Sequence, residues 1–168
     1  MSYVLHRCNQ YLRQFAYSSA GPLYRARANR LASFIDIMQP GPGDSIVDLG
    51  GTPWFWSLLD RRPFHVTIVN LPGSTKKRSD ELDEGLTLVE GDATDLTAEY
   101  PDGAFDMVFS NSVIEHVGPE DKQQAFANEC RRLASRFWVQ TPSPRFPLEV
   151  HTSVPFYWQL PRSLRDRL

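Results

Sequence analysis

Cysteine is nearly missing from this sequence. Cys8 and Cys130 stand far apart and belong to no CxxC pair, which excludes a disulfide framework and a zinc site and fits reduced thiols in a cytoplasmic protein. Nothing else in the pattern of His, Cys, Asp and Glu calls for a metal. A surplus of positive charge is lacking too. The 18 Lys and Arg stand against 20 Asp and Glu, a net charge of −2, so no global basic field attracts nucleic acid. No apolar run approaches the roughly 20 residues of a membrane span. The opening stretch MSYVLHRCNQYLRQFAYSS is broken by Arg7, Asn9, Gln10, Arg13 and Gln14 before a signal-peptide core can form, so secretion is not expected.

What is present is a chain of 168 residues, 41% of them apolar, enough to bury one core and to form a single domain over residues 1–168. It divides into N-terminal helices (residues 1–43), a core (44–140) and a proline- and aromatic-rich tail (141–168). The core opens on SIVDLGGTPWFW, residues 45–56. Ser45, Ile46 and Val47 suit a buried strand that Asp48 closes. Gly50 and Gly51 then make a turn, and Thr52 can cap a helix whose first position is Pro53. Strand, glycine turn and helix start together suit a nucleotide-like ligand.

Apolar spacing predicts a short helix over residues 3–18 and a second over 23–38. In the second, Leu23, Ala26, Leu31, Phe34 and Ile35 share one face, with Arg25, Arg27 and Arg30 around the other. Helix is also expected over residues 54–59, then a buried strand over 64–71, which completes a βαβ unit. Residues 73–85 are charged and read as a surface loop. Strands follow over 86–90, 105–110 and 136–140, with a helix over 120–134 between the last two. The expected fold is α/β and Rossmann-like, a mostly parallel sheet of about five strands with helices on both faces.

Ligands of open parallel sheets bind beyond the carboxyl ends of the strands. Those ends are polar here: Asp48-Leu49-Gly50-Gly51, Asn70-Leu71, Gly91-Asp92-Ala93 and Ser110-Asn111-Ser112. The motifs VDLGG, VTIVNLP, LVEGDATDL and FDMVFSNSVIEHV, in that order over residues 44–140, resemble the class I S-adenosylmethionine-dependent methyltransferases, in particular their type 11 small-molecule branch. The resemblance implies S-adenosyl-L-methionine as cofactor. It assigns Asp48, Gly50, Gly51 and the adjoining Thr52 to the methionine side, and Asn70 with Leu71 to the ribose. Asp92 and Ala93 would meet the adenine, and Ser110 and Asn111 the methionine moiety. The family pattern acid-x-Gly-x-Gly-x-Gly is altered, with Thr52 and Trp54 at the second and third glycines. The ribose position, often an acid, is the uncharged Asn70.

The implied activity is transfer of a methyl group to a small-molecule acceptor through an O, N or C nucleophile. His116, after the fourth strand, is the candidate base or orienting group. The alternative is a catalytically degenerate cofactor-binding domain serving as a partner or regulatory subunit. A nicotinamide oxidoreductase would need GxGxxG where Gly50-Gly51-Thr52-Pro53-Trp54 stands. A nucleic-acid methylase would need an Asn/Asp-Pro-Pro-aromatic motif where Ser110-Asn111-Ser112-Val113 stands. Family members generally add two further strands after the fifth. The expectation is therefore a shortened member, or an open sheet edge covered by a partner or a second copy.

Overall fold

The computed structural model describes residues 21–74 and 82–142. The helix expected over residues 3–18 and the tail from residue 143 onward lie outside these. Five strands form one sheet in the order β3-β2-β1-β4-β5, every neighbouring pair parallel: β1 (Ser45–Leu49), β2 (His65–Asn70), β3 (Leu86–Glu90), β4 (Met107–Asn111) and β5 (Arg136–Gln140). All five strands expected from the apolar runs are present. β4 reaches one residue further than its run, so Asn111 ends the strand instead of leading off it.

Helix α1 (Pro22–Met38) starts with proline in its first turn, where a missing N–H costs nothing, and ends at Gln39, whose left-handed φ of 48° lets its N–H reach the Ile35 carbonyl. Helix α2 is shorter than expected, spanning only Pro53–Trp56. Thr52 takes the cap position, yet its hydroxyl makes no cap bond. The Trp56 carbonyl accepts from Arg62 Nη1 at 2.8 Å, which satisfies the helix end early. A 3-10 turn (Ile114–His116) leads from β4 to α3 (Glu120–Leu133).

Alternation along the strands divides the core into two layers. On one face, α1 and α2 pack Leu31, Phe34, Phe55 and Trp56 against Ile46, Ile68, Met107 and Phe109. This layer is aromatic: Phe34 meets Phe109 edge-on at 4.9 Å and Trp56 meets Phe109 at 5.2 Å. On the other face, α3 packs Phe126, Cys130 and Leu133 against Val47, Leu49, Val69 and Val108. Neighbouring strands run from β1 to β2 and from β1 to β4, so the chain reverses its direction of winding at β1, and the crevice at that reversal is where such sheets take ligands. The end of the sheet away from the crevice is tied by Asp106, which accepts the Ser45 N–H at 2.8 Å and its hydroxyl at 2.7 Å. Those bonds hold the Asp106 carboxyl below its ordinary range.

Candidate cofactor crevice

Asp48 is the second-to-last residue of β1, and alternation turns it to the aromatic face beside Trp56 and Phe109. It is 1% exposed. One oxygen, Oδ2, accepts the Trp56 indole N–H at 2.7 Å; the other, Oδ1, is buried with no partner. Withdrawal from water pushes the carboxyl up to about 7, and the Trp56 bond only partly opposes this. The contact serves both groups, because a buried indole N–H also needs an acceptor.

The two glycines answer to the chain's own packing. Gly50 has φ +79°, and a Cβ there would lie 2.6 Å from a Val113 methyl. Its N–H donates to the Val69 carbonyl at 2.8 Å, tying the turn to β2. A Cβ on Gly51 would fall 1.7 Å from Asp48 Oδ2, so the carboxylate occupies the space where a side chain would stand. Both glycines are therefore required by the close approach of Val113 and Asp48.

The remaining strand ends join this turn. Asn70 donates from Nδ2 to the Gly51 carbonyl at 3.0 Å, while its own carbonyl accepts the Gly91 N–H at 2.9 Å. Leu71, next in the chain, is exposed. Asp92 folds into a turn in which Oδ1 accepts the Thr94 N–H at 2.9 Å and its hydroxyl at 2.8 Å. Ala93 packs against the aliphatic layer. Ser110 is buried and donates to the Leu49 carbonyl at 3.0 Å, so its hydroxyl ties β4 to β1. Asn111 keeps a buried Oδ1 with no partner. Asp48, Gly50, Gly51, Asn70 and Ser110 are thus linked around one strand end, with Thr52 exposed at the start of α2 and Asp92 at the start of the turn after β3.

His116 is exposed at the end of the 3-10 turn, where its backbone N–H bonds the Val113 carbonyl at 2.7 Å. Its neighbour Glu115 is different: both carboxylate oxygens are buried and neither has a partner. Trp56 and Val113 were not singled out from the sequence, where Glu115 reads as a structural residue. The Asp48–Trp56 pair is eight residues apart across a turn, a separation that no helical or strand period marks. The placing of Arg27 and Arg30 on the outer face of α1 is corrected: both are half-buried, while Arg25 is exposed. Outside the crevice, a surface hollow lined by Ser57, Asp60, Arg61, His65 and Glu84 lies at the amino ends of β2 and β3, opposite the polar strand ends.

Among the described residues no group of three or more His, Cys, Asp and Glu is placed to hold a metal, and no helix is long and apolar enough to cross a membrane. A curated relative, phosphoethanolamine N-methyltransferase 3 of Arabidopsis thaliana, is 28% identical over 130 residues, which cover 70% of this chain and 26% of that protein. The chain therefore spans about a quarter of that relative's length. Among solved structures, the PH0226 protein of Pyrococcus horikoshii OT3 matches with a TM-score of 0.59 at 22% identity, over 80% of this chain and 62% of that one. The cyclase SpnF matches with a TM-score of 0.51 at 15% identity, over 64% and 41% of the respective chains. These structural likenesses are of fold. The family model described as a methyltransferase domain matches residues 47–136, more than half of the sequence, from the middle of β1 to the first residue of β5. Sheet order and motif order agree with that match: the chain belongs to the class I S-adenosylmethionine-dependent methyltransferases.

Proposed function

We propose that the chain, acting as a single methyltransferase-like domain, binds S-adenosylmethionine at the carboxyl ends of β1 to β4 and transfers its methyl group to a small-molecule acceptor. The observation that carries this reading is the set of buried acceptors left open at the strand ends, Asp48 Oδ1 and Asn111 Oδ1. Unpaired buried acceptors are costly, and a ligand that donates to them removes the cost. The cofactor supplies a methyl group on a positively charged sulfur, already activated toward a nucleophile. The residues that would hold it are Asp48, Gly50, Gly51 and Thr52 on the methionine side, together with Ser110 and Asn111. Asn70 and Leu71 would stand at the ribose, and Asp92 and Ala93 at the adenine. One side-chain N–H of Asn70 is committed to Gly51 and its backbone carbonyl to Gly91, so the side-chain oxygen Oδ1 is the group left to accept from a hydroxyl. In Asp92 the equivalent group is Oδ2.

The chain's part in the chemistry is then placement and proton handling. His116 stands just after β4, where an imidazole can take a proton from an acceptor hydroxyl or ammonium. Glu115 adds a second carboxylate there, deprived of water and open to a donor. The name of the plant relative, a phosphoethanolamine N-methyltransferase, makes amines the first acceptors to try. Calorimetry with S-adenosylmethionine and S-adenosylhomocysteine, followed by methyl-transfer assays on ethanolamine, O-phosphoethanolamine and glycine, tests the reading. Binding plus turnover of at least one acceptor is expected, and His116→Ala should lower turnover at saturating cofactor. No binding at millimolar cofactor would refute it.

A second reading has its own observation. Trp54 stands where the family has its third glycine, stacks edge-on with Tyr24 at 6.3 Å, and lies at the mouth of the turn. A crevice so altered suits a domain that binds the cofactor without turnover, as a partner or regulatory subunit, and β5 offers an exposed edge with Phe137 and Val139 outward. Cofactor binding without methylation of any acceptor would favour it.

A further inference from the structure

Helix α1 changes character along one stripe. Leu31 and Phe34 are buried against the sheet, and helical spacing puts Arg27 and Arg30 on the same stripe nearer the N-terminus. The outward stripe is made of Arg25, Asn29, Ala32, Ser33, Asp36 and Ile37, all exposed. Two guanidiniums therefore lean inward with the apolar residues. Arg27 does so beside Trp54, two residues after Thr52 in the glycine turn. Arg27 Cζ lies 5.5 Å from the centre of the Trp54 ring, and Tyr24 meets the same ring.

Arg30 is the less satisfied of the two. Its Nε is buried with no partner, and Arg27, the charge that acts on it, has the same sign. No ion pair among the described residues involves Arg30. Two neighbouring guanidiniums half withdrawn from water, one with an open N–H, form the kind of fork that grips two oxygens of an anion.

We propose that Arg30, with Arg27 beside it, holds an oxyanion of the methyl acceptor, a phosphate or a carboxylate, at the rim of the glycine turn. The proposal rests on the methyltransferase reading and narrows it: the acceptor is anchored by its anionic end, which leaves the nucleophilic end free to enter the crevice. Trp54, the residue that departs from the family's glycine pattern, holds the Arg27 plane in place.

Calorimetry on the full chain saturated with S-adenosylhomocysteine tests this with three titrants that share an amine: O-phosphoethanolamine, glycine and ethanolamine. At least one of the two oxyanion carriers should bind, with ethanolamine at least tenfold weaker, and the contrast between phosphate and carboxylate tells which anion the site takes. Arg30→Gln should weaken that binding at least tenfold, Arg30→Lys should recover part of it, and Arg27→Gln should cost less. All three variants should keep the wild-type affinity for S-adenosylhomocysteine, which shows that they fold. Equal binding of ethanolamine, an unaffected Arg30→Gln variant, or no binding of either anion overturns the proposal. If S-adenosylhomocysteine itself does not bind, the methyltransferase reading fails separately, and the same titrations on the bare chain still decide whether the arginines take an anion.

Discussion

Asp48 and Glu129 are both buried carboxylates, and their surroundings are opposite. Glu129 is fully bonded. Its Oε1 accepts the Leu96 N–H at 2.9 Å and Arg132 Nη2 at 2.5 Å, and its Oε2 accepts Arg132 Nε at 2.9 Å. Arg132 continues to the Tyr100 carbonyl and the Asp102 carboxylate, so one network staples α3 to the segment after β3. Asp48 has one donor, from Trp56, and an oxygen left over. A closed network serves the fold and has no capacity for a ligand. An open one costs stability, and that cost makes sense at a place where something else is to bind.

Glu129→Ala should have the largest effect, because it leaves the Leu96 N–H and Arg132 Nε and Nη2 without their acceptor, while Arg132 keeps only Tyr100 and Asp102. A loss of about 3–5 kcal/mol in urea unfolding is expected, with S-adenosylhomocysteine affinity of the folded variant unchanged. A loss below about 1 kcal/mol would erase the contrast with Asp48. Gly51→Ala comes next. The added methyl requires the Asp48 carboxylate to leave its place, at about 2–3 kcal/mol, and cofactor affinity should fall with stability. Trp56→Phe keeps the ring packing but leaves both Asp48 oxygens unpaired. About 1–3 kcal/mol is expected, with a larger loss at pH 8 than at pH 5.

Asp48→Asn should change stability least at acid pH, and it sharpens the comparison most. The folded-state value, raised to about 7 from the ordinary 3.8 of an aspartate, means that native Asp48 contributes stability that is fully present below 3.8 and lost as pH rises through about 7. The variant lacks that slope. It should match the native chain within about 0.5 kcal/mol at pH 3.5 and become progressively the more stable of the two as pH rises from about 4 to 7, while binding S-adenosylhomocysteine at least tenfold more weakly at pH 8. Urea midpoints at the two pH values and one calorimetric titration suffice to check this. A native chain whose stability does not fall between pH 4 and 7 would show that Asp48 is not the open group it is taken to be.

Much of the fold was legible because the central strands β1, β2 and β4, largely buried, read as near-continuous apolar runs, while the edge strands β3 and β5 showed shorter runs and are more exposed. Helix α2 was overestimated because Leu58 and Leu59 extend a helical pattern that tertiary bonds from Arg62 cut off at Trp56. Of the crevice, its location was legible in the polar strand ends and their order. What fills it locally was not. Val113 against Gly50 and Trp56 against Asp48 depend on how β4 and α2 lie against β1, and no short-range period carries that information. The α1 arginines were misplaced for another reason: charge suggested the solvent side, although their spacing from Leu31 and Phe34 puts them on the buried stripe.

The clamp between Ser45 and Asp106 has a consequence for the order of assembly. It joins residues 61 apart in sequence, whereas β1, β2 and β3 are each the next strand along from their partner. Closing the longer loop loses more chain entropy before any contact repays it. The half sheet β1-β2-β3 with its glycine turn can therefore form early, and docking of β4 and β5 is expected to be the slow step. Val113 reaches Gly50, and the open acceptor of Asn111 arrives, only with β4. The crevice is accordingly the last part of the molecule to take shape, and a kinetic probe at Trp56 should report its completion later than one placed on β3.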